Sequence, residues 1–263
     1  MIFVNPKSVI VSLGDGFRSE FFEWLKEKEI QWRPDPTISF LENLYEFAGR
    51  LCYESWTLED GSFVNKNLTK IRSGNFKYLE NILLSGHGSV LEHGSIVILF
   101  NDVSRVFTHE LVRHRAGTAM SQTSGRYVRS DNIRFWIPGM LTNHKNGKEI
   151  ENIITGLILS TEHDVRKITQ LLELDDPGLS FSIKKKLTSA LRRITPNGIA
   201  NNILFSFNGR SLRHTLNMRC DEAAEEEMHY VMRPLSVRLK ILLPSLLQDF
   251  NIDTFKFEIN SKV

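Results

Sequence analysis

The segment Arg113 to Tyr127, RHRAGTAMSQTSGRY, sets three arginines, a histidine and several hydroxyl or amide side chains around two glycines. A guanidinium stays charged and meets phosphate oxygens two at a time, so clustering Arg113, Arg115 and Arg126 favours a multiply charged ligand. Gly117 and Gly125 let backbone N–H groups approach the same anion. Cations also suit a helix C-terminus, and that plainer account serves equally well for Arg113 and Arg115 alone. The whole segment, with Ser124-Gly125-Arg126 at its far end, looks like a phosphate cradle.

Two further stretches carry similar chemistry. In Asn208-Gly209-Arg210-Ser211-Leu212-Arg213-His214, helical spacing puts Arg210, His214 and either Asn217 or Met218 on one face, with Arg219 further round beside apolar residues. An ordinary surface helix would explain Arg213, but less readily the set. Gly86-His87-Gly88-Ser89, followed by Glu92-His93, is a glycine-flanked histidine loop, although a single histidine is more often structural than catalytic.

Metal and thiol chemistry find no support. His109 and His114 bracket a zincin-like stretch but stand five apart, about 140° around a helix, where a zinc helix needs four. No other His/Cys grouping has ligand spacing. Cys52 and Cys220, the only cysteines, form no CxxC and have no neighbouring histidine, which suggests a reducing compartment and no thiol nucleophile.

The elements that must position these residues follow from periodicity. A strand is expected within 2–12, with helices over 19–31, 38–53 and 67–84. The apolar run 95–100 is a strand, and Asp102 is placed to cap a helix over 103–114, with Gly117 just past its end. Strand character is expected over 124–135, helix after 148, and a basic helix from Lys184. A strand over 203–207 precedes helices over 210–220 and 221–247, the last kinked or divided by Pro234. No Pro/Gly/Ser linker interrupts the chain, so one domain over 1–263 is expected.

Composition is that of a soluble globular chain: 263 residues, 41% hydrophobic and 24% charged. A net charge of +2 gives no global case for nucleic acid, so an anion site must come from local clustering. No run reaches the roughly 18 apolar residues of a membrane span, and no secretory signal opens the chain, so a cytoplasmic protein is expected.

Together the three stretches resemble the flavin-dependent thymidylate synthases. The family signature runs from Arg-His-Arg to Ser-x-Arg, here Arg113-His114-Arg115 and Ser124-Gly125-Arg126. His87, Ser89 and Glu92-His93 match an upstream family segment. Asn208, Arg210 and Arg219 match a downstream one, and Arg192 falls at a family arginine before Pro196. The resemblance implies a mixed α/β fold, a twisted sheet flanked by helices, in a homotetramer whose sites combine several subunits. It implies C5-methylation of dUMP to dTMP with FAD as cofactor and methylenetetrahydrofolate and NADPH as co-substrates, without metal, nucleic acid or membrane. FAD would be bound by His87, Ser89, Arg113, His114, Arg115, Gln122, Asn208, Arg210 and His214. The nucleotide would be held by Glu110, Arg113, Ser124, Gly125, Arg126, Arg192 and Arg219, with Arg219 catalytic through the charge developing at N3 and O2 of the uracil.

The chain departs from the pattern in three places. The signature is one residue longer than usual, Gln122 stands near the place of a family acid, and Glu110 replaces a family glutamine. A relative methylating UMP is the nearest alternative, followed by a non-catalytic flavin- or nucleotide-binding protein and by a basic RNA-binding surface.

Overall fold

The structure, a computed structural model, describes residues 1–12, 14–130 and 132–259. Its centre is a four-stranded antiparallel sheet ordered β2-β3-β6-β4: β2 (Lys7–Ser12), β3 (Ile96–Ser104), β4 (Thr118–Gln122) and β6 (Ala200–Phe207). Alternation explains why it forms. Ile96, Ile98 and Phe100 of β3 and Ile203, Phe205 and Phe207 of β6 all point to one buried face. The register pairs Ile98 with Phe205 and then Phe205 with Met120, so side chains on the same face align across three strands.

Helices cover that face. The buried stripes of α2 (Phe40–Tyr53), α3 (Asn75–Leu84), α8 (Gly209–Arg219) and α9 (Glu226–Leu242) complete one apolar core with it. Each of two starts is fixed by a capping side chain: Ser39 accepts from the amide of Glu42 at 3.2 Å, and Asn208 from that of Ser211 at 2.8 Å. Two short strands, β1 (Ile2–Phe3) and β5 (Arg134–Phe135), pair in parallel. The remaining helices are α1 (Ser19–Glu27), α5 (Gly139–Thr142), α6 (Gly147–Leu171) and α7 (Phe181–Leu191), and β7 (Phe250–Asn251) and β8 (Lys256–Phe257) form a hairpin. Among the described residues no helix is long and apolar enough to cross a membrane.

One buried ion pair ties α8 to that hairpin. Arg213 donates to both carboxylate oxygens of Asp249, at 2.6 and 2.8 Å, and to the Leu246 carbonyl at 2.7 Å. Its guanidinium carbon sits 4.2 Å from the centre of the Phe257 ring. The sequence reading put Arg213 on the surface, but its side chain is only 1% exposed.

Several boundaries differ from expectation. The helix after β3, α4 (Arg105–Leu111), is capped by Ser104, whose Oγ accepts from the Phe107 amide at 3.0 Å. Asp102 instead lies in a β-bulge with φ +58°, ion-paired with Arg134. Of the strand expected over 124–135 only the last two residues form one, β5, and the longer strand lies earlier, as β4. Residues 124–128 turn, with the amides of Tyr127 and Val128 both bonding the Ser124 carbonyl at 3.0 Å. The histidine loop leads into a 3-10 turn over Gly88–Glu92 before β3 begins. Pro234 lies inside α9, and helix continues on both sides of it. Tyr230, whose carbonyl loses its usual donor to the proline, is half exposed.

Candidate active site

The loop joining α4 to β4 and the first two turns of α8 enclose a cleft of about 760 Å³. Arg113, His114, Arg115, Asn208, Arg210 and His214, all expected from sequence, line it. Gly117 closes the loop at φ +66°, a conformation that costs a side-chain-bearing residue, and a Cβ there would collide with the Asn208 side chain. Its carbonyl accepts from the Asn208 amide at 2.9 Å and from Ser211 Oγ at 3.0 Å, locking the loop to the start of α8.

The third stretch joins through Arg210. This arginine reaches Glu92 at 2.6 Å and packs so closely over Gly88 that a Cβ there would meet its Nε at 2.9 Å. His87, one residue earlier, bonds the Tyr53 hydroxyl at 2.7 Å and stacks on its ring. Neither Glu92 as the partner of Arg210 nor Tyr53 as the partner of His87 was found from sequence, since both contacts are tertiary. Among the described residues, no carboxylate pairs with Arg113 or Arg115, which leaves both guanidinium groups for a ligand. Thr215 Oγ1, on the same cleft, is buried with no hydrogen-bond partner among the described residues.

Arg219, bonded to the cleft-lining His114, is held at three points. It donates to Glu110 Oε2 at 2.5 Å, to the Glu110 carbonyl at 3.1 Å and to His114 Nε2 at 2.9 Å. A guanidinium has no acceptor, so His114 must receive with a lone pair and carry its proton on Nδ1. Burial, then the charge of Arg219 and the neighbouring His214, push its pKa down to about 4. The imidazole is therefore neutral at physiological pH.

The remaining expected residues lie elsewhere on the chain. Gly125 and Arg192 line a second cleft of about 590 Å³, and a Cβ on Gly125 would sit 3.5 Å from Arg192 Cδ. Arg105, Arg129, Arg134 and Arg193, not singled out from sequence, converge on it, with Arg129 and Arg134 paired to Asp175 and Asp102. Ser124 Oγ accepts from the Arg126 amide at 3.3 Å, while the Arg126 side chain faces an adjoining groove beside Lys184 and Lys185. Gln122 donates to Thr108 Oγ1 at 3.1 Å. Arg105 and His109 of α4 face the second cleft, while the residues just after α4 line the first.

The class these features define is a mixed α/β protein with two cation-lined clefts served by one short helix. The family described as "Thymidylate synthase complementing protein" (Thy1) matches residues 38–245. The flavin-dependent thymidylate synthase of Mycobacterium marinum is 32% identical over 238 residues, covering 88% of each chain. That of Corynebacterium diphtheriae is 32% identical over 231 residues, 84% of this chain and 83% of its own. The chain belongs to the flavin-dependent thymidylate synthases, a family of methyltransferase enzymes. Its fold is shared by the UMP/dUMP methylase PolB from Streptomyces cacaoi, solved with 5-Br UMP, at a TM-score of 0.64, 14% identity and 98% coverage of this chain and 99% of that one.

Proposed function

We propose that the protein catalyses the reductive C5-methylation of dUMP to dTMP, with FAD as cofactor, methylenetetrahydrofolate as carbon donor and NADPH as reductant. The observation that carries this reading is Arg219, fixed by Glu110 and by a neutral His114 that lines an arginine-rich cleft. The cleft fits FAD on its own chemistry. It has the volume of a cofactor site, two uncompensated guanidinium groups for the pyrophosphate, and a buried hydroxyl lacking a partner. When bound, the flavin supplies hydride-transfer chemistry.

The chain's own residues bind and polarise. Arg113 and Arg115 neutralise phosphate, with Asn208, Arg210 and His214 across the cleft and His87 and Ser89 on the adjoining loop. Ser124, Gly125 and Arg126, with Arg192, take the nucleotide phosphate. Glu110 orients Arg219, whose guanidinium stabilises charge gathering on the uracil as C5 becomes nucleophilic. A homotetramer accords with expected site residues spread over several openings of one chain. Methylation of UMP is the second reading, favoured by Gln122 at the place of a family acid and turned toward Thr108.

Incubation with FAD followed by gel filtration tests the cofactor: the protein should elute yellow, and a colourless protein would end the proposal. Turnover of dUMP against UMP, with folate and NADPH supplied, then decides the substrate.

A further inference from the structure

The short helix α4 carries Thr108, His109 and Glu110 and leads directly into Arg113–Arg115, yet it has only seven residues. Such a helix has little stability of its own and takes its position from what holds its ends. Arg219 of α8 holds the last turn, through the side chain and carbonyl of Glu110. Glu227 of α9 holds the first.

Glu227 is 2% exposed. It accepts from the Ser104 amide at 2.7 Å and makes a short bond with the Ser104 hydroxyl. Ser104 Oγ is also the cap of α4, accepting from the Phe107 amide. An ionised carboxylate only accepts, so it draws the Ser104 hydroxyl proton toward itself and leaves a lone pair for Phe107. A protonated Glu227 brings a hydrogen of its own to the same oxygen, and the serine proton then loses its acceptor. The two acids beside it are otherwise engaged: Glu225 accepts from the Glu227 amide, and Glu226 from the amides of Gly139 and Met140.

We propose that Glu227 is a positioning residue that acts through Ser104 on the start of α4, and that its ionisation tightens this cap and settles Glu110 and His114 for the reaction.

The charged groups around it leave the proton on Glu227 to be exchanged near neutrality. Burial pushes its pKa up to about 7, against the two Ser104 bonds, and Glu225 adds repulsion. Glu225 is itself raised, by burial and then, after its bond from the Glu227 amide, by the charge of Glu110 on α4. No cation pairs with Glu227 among the described residues.

The inference rests on the functional reading for its effect on turnover, but its physical core can be tested without turnover. Amide hydrogen exchange of the 105–111 segment, corrected for intrinsic pH dependence, should gain protection between pH 6 and 8 in the parent. Glu227→Gln keeps the shape and removes the titration, so the step should vanish. Its kcat should fall on the order of tenfold, with the nucleotide KM little changed, as expected of misplaced rather than missing groups. A step that persists in Glu227→Gln, or is absent from the parent, overturns the proposal. Should Glu227→Gln fail to fold, Ser104→Thr should retain the step and Ser104→Ala lose it; retention in both overturns it equally. A protein showing the step but methylating no uridine nucleotide would keep this inference and remove the functional reading.

Discussion

Arg219 donates from Nε to Nε2 of His114 at 2.9 Å, so a permanent cation fixes the tautomer of a histidine three residues beyond Leu111, the last residue of α4. The pairing works only while the imidazole is neutral. It also ties the binding loop to the residue proposed to polarise the substrate.

His114 should therefore show no protonation step between pH 5 and 8. Its ordinary pKa is 6.5 and its folded value about 4, so between those limits the unfolded chain binds a proton that the folded chain refuses. Its contribution to stability is present above pH 6.5 and lost as pH falls through about 4. A titration of its C2 proton by NMR checks this, and a midpoint near 6.5 in the folded protein would contradict it. Replacing Arg219 with alanine removes one of the causes and should move the midpoint upward.

Arg219→Ala and Arg126→Ala should fail differently. The first should lower turnover at saturating nucleotide by about 10²–10³-fold, as for the loss of other charge-stabilising donors. The second should weaken nucleotide binding by on the order of tenfold to a hundredfold, the worth of one charged hydrogen bond. FAD should bind to both variants. Parallel titrations and steady-state kinetics separate the roles, and parent-like turnover by Arg219→Ala would remove its catalytic assignment.

Gly117→Ala should damage the cleft without removing any ligand-binding side chain. The left-handed backbone costs an alanine about 1–2 kcal/mol, and the added methyl strikes Asn208. Thermal melting should show the loss, and flavin titration should show a weaker site because Asn208 caps α8. Unchanged melting and affinity would mean that the loop relaxes freely.

The cysteines should be dispensable. Burial pushes the Cys220 thiol up to about 12, far from a nucleophile, and Cys52 is an exposed thiol at the end of α2. A Cys52→Ser, Cys220→Ala double variant should turn over within a few-fold of the parent. A loss of several orders of magnitude in folded, FAD-loaded protein would contradict the proposed chemistry.

Local pattern carried much of this into the sequence. The α2 stripe, the β3 and β6 runs and the clustering of Arg113–Arg115 with Asn208–His214 were all legible, because short-range periodicity and residue type determine them. Asp102 was misassigned as a cap because a β-bulge carries β3 four residues past Phe100, the end of its apolar run, leaving the role to Ser104. β4 escaped notice because TAMSQ is weakly apolar and owes its strand to pairing with β6 alone. Arg213 read as a surface residue since nothing nearby in sequence announces Asp249, 36 positions on. Tyr53 and Glu227 were invisible for the same reason: each matters through a partner brought near only by the fold.

The union of Arg213 with Asp249 also orders events during synthesis. When α8 first leaves the ribosome its buried face carries a guanidinium with no counter-charge, and seating it in the apolar core in that state is strongly unfavourable. Only when Asp249 and the Phe257 ring follow can that face settle. The wall of the first cleft is thus completed by a stretch that emerges some 30 residues after α8, although that stretch lines no part of it. A nascent protein halted before residue 249 would already hold its arginine-rich loop and yet lack a finished place to bind anything.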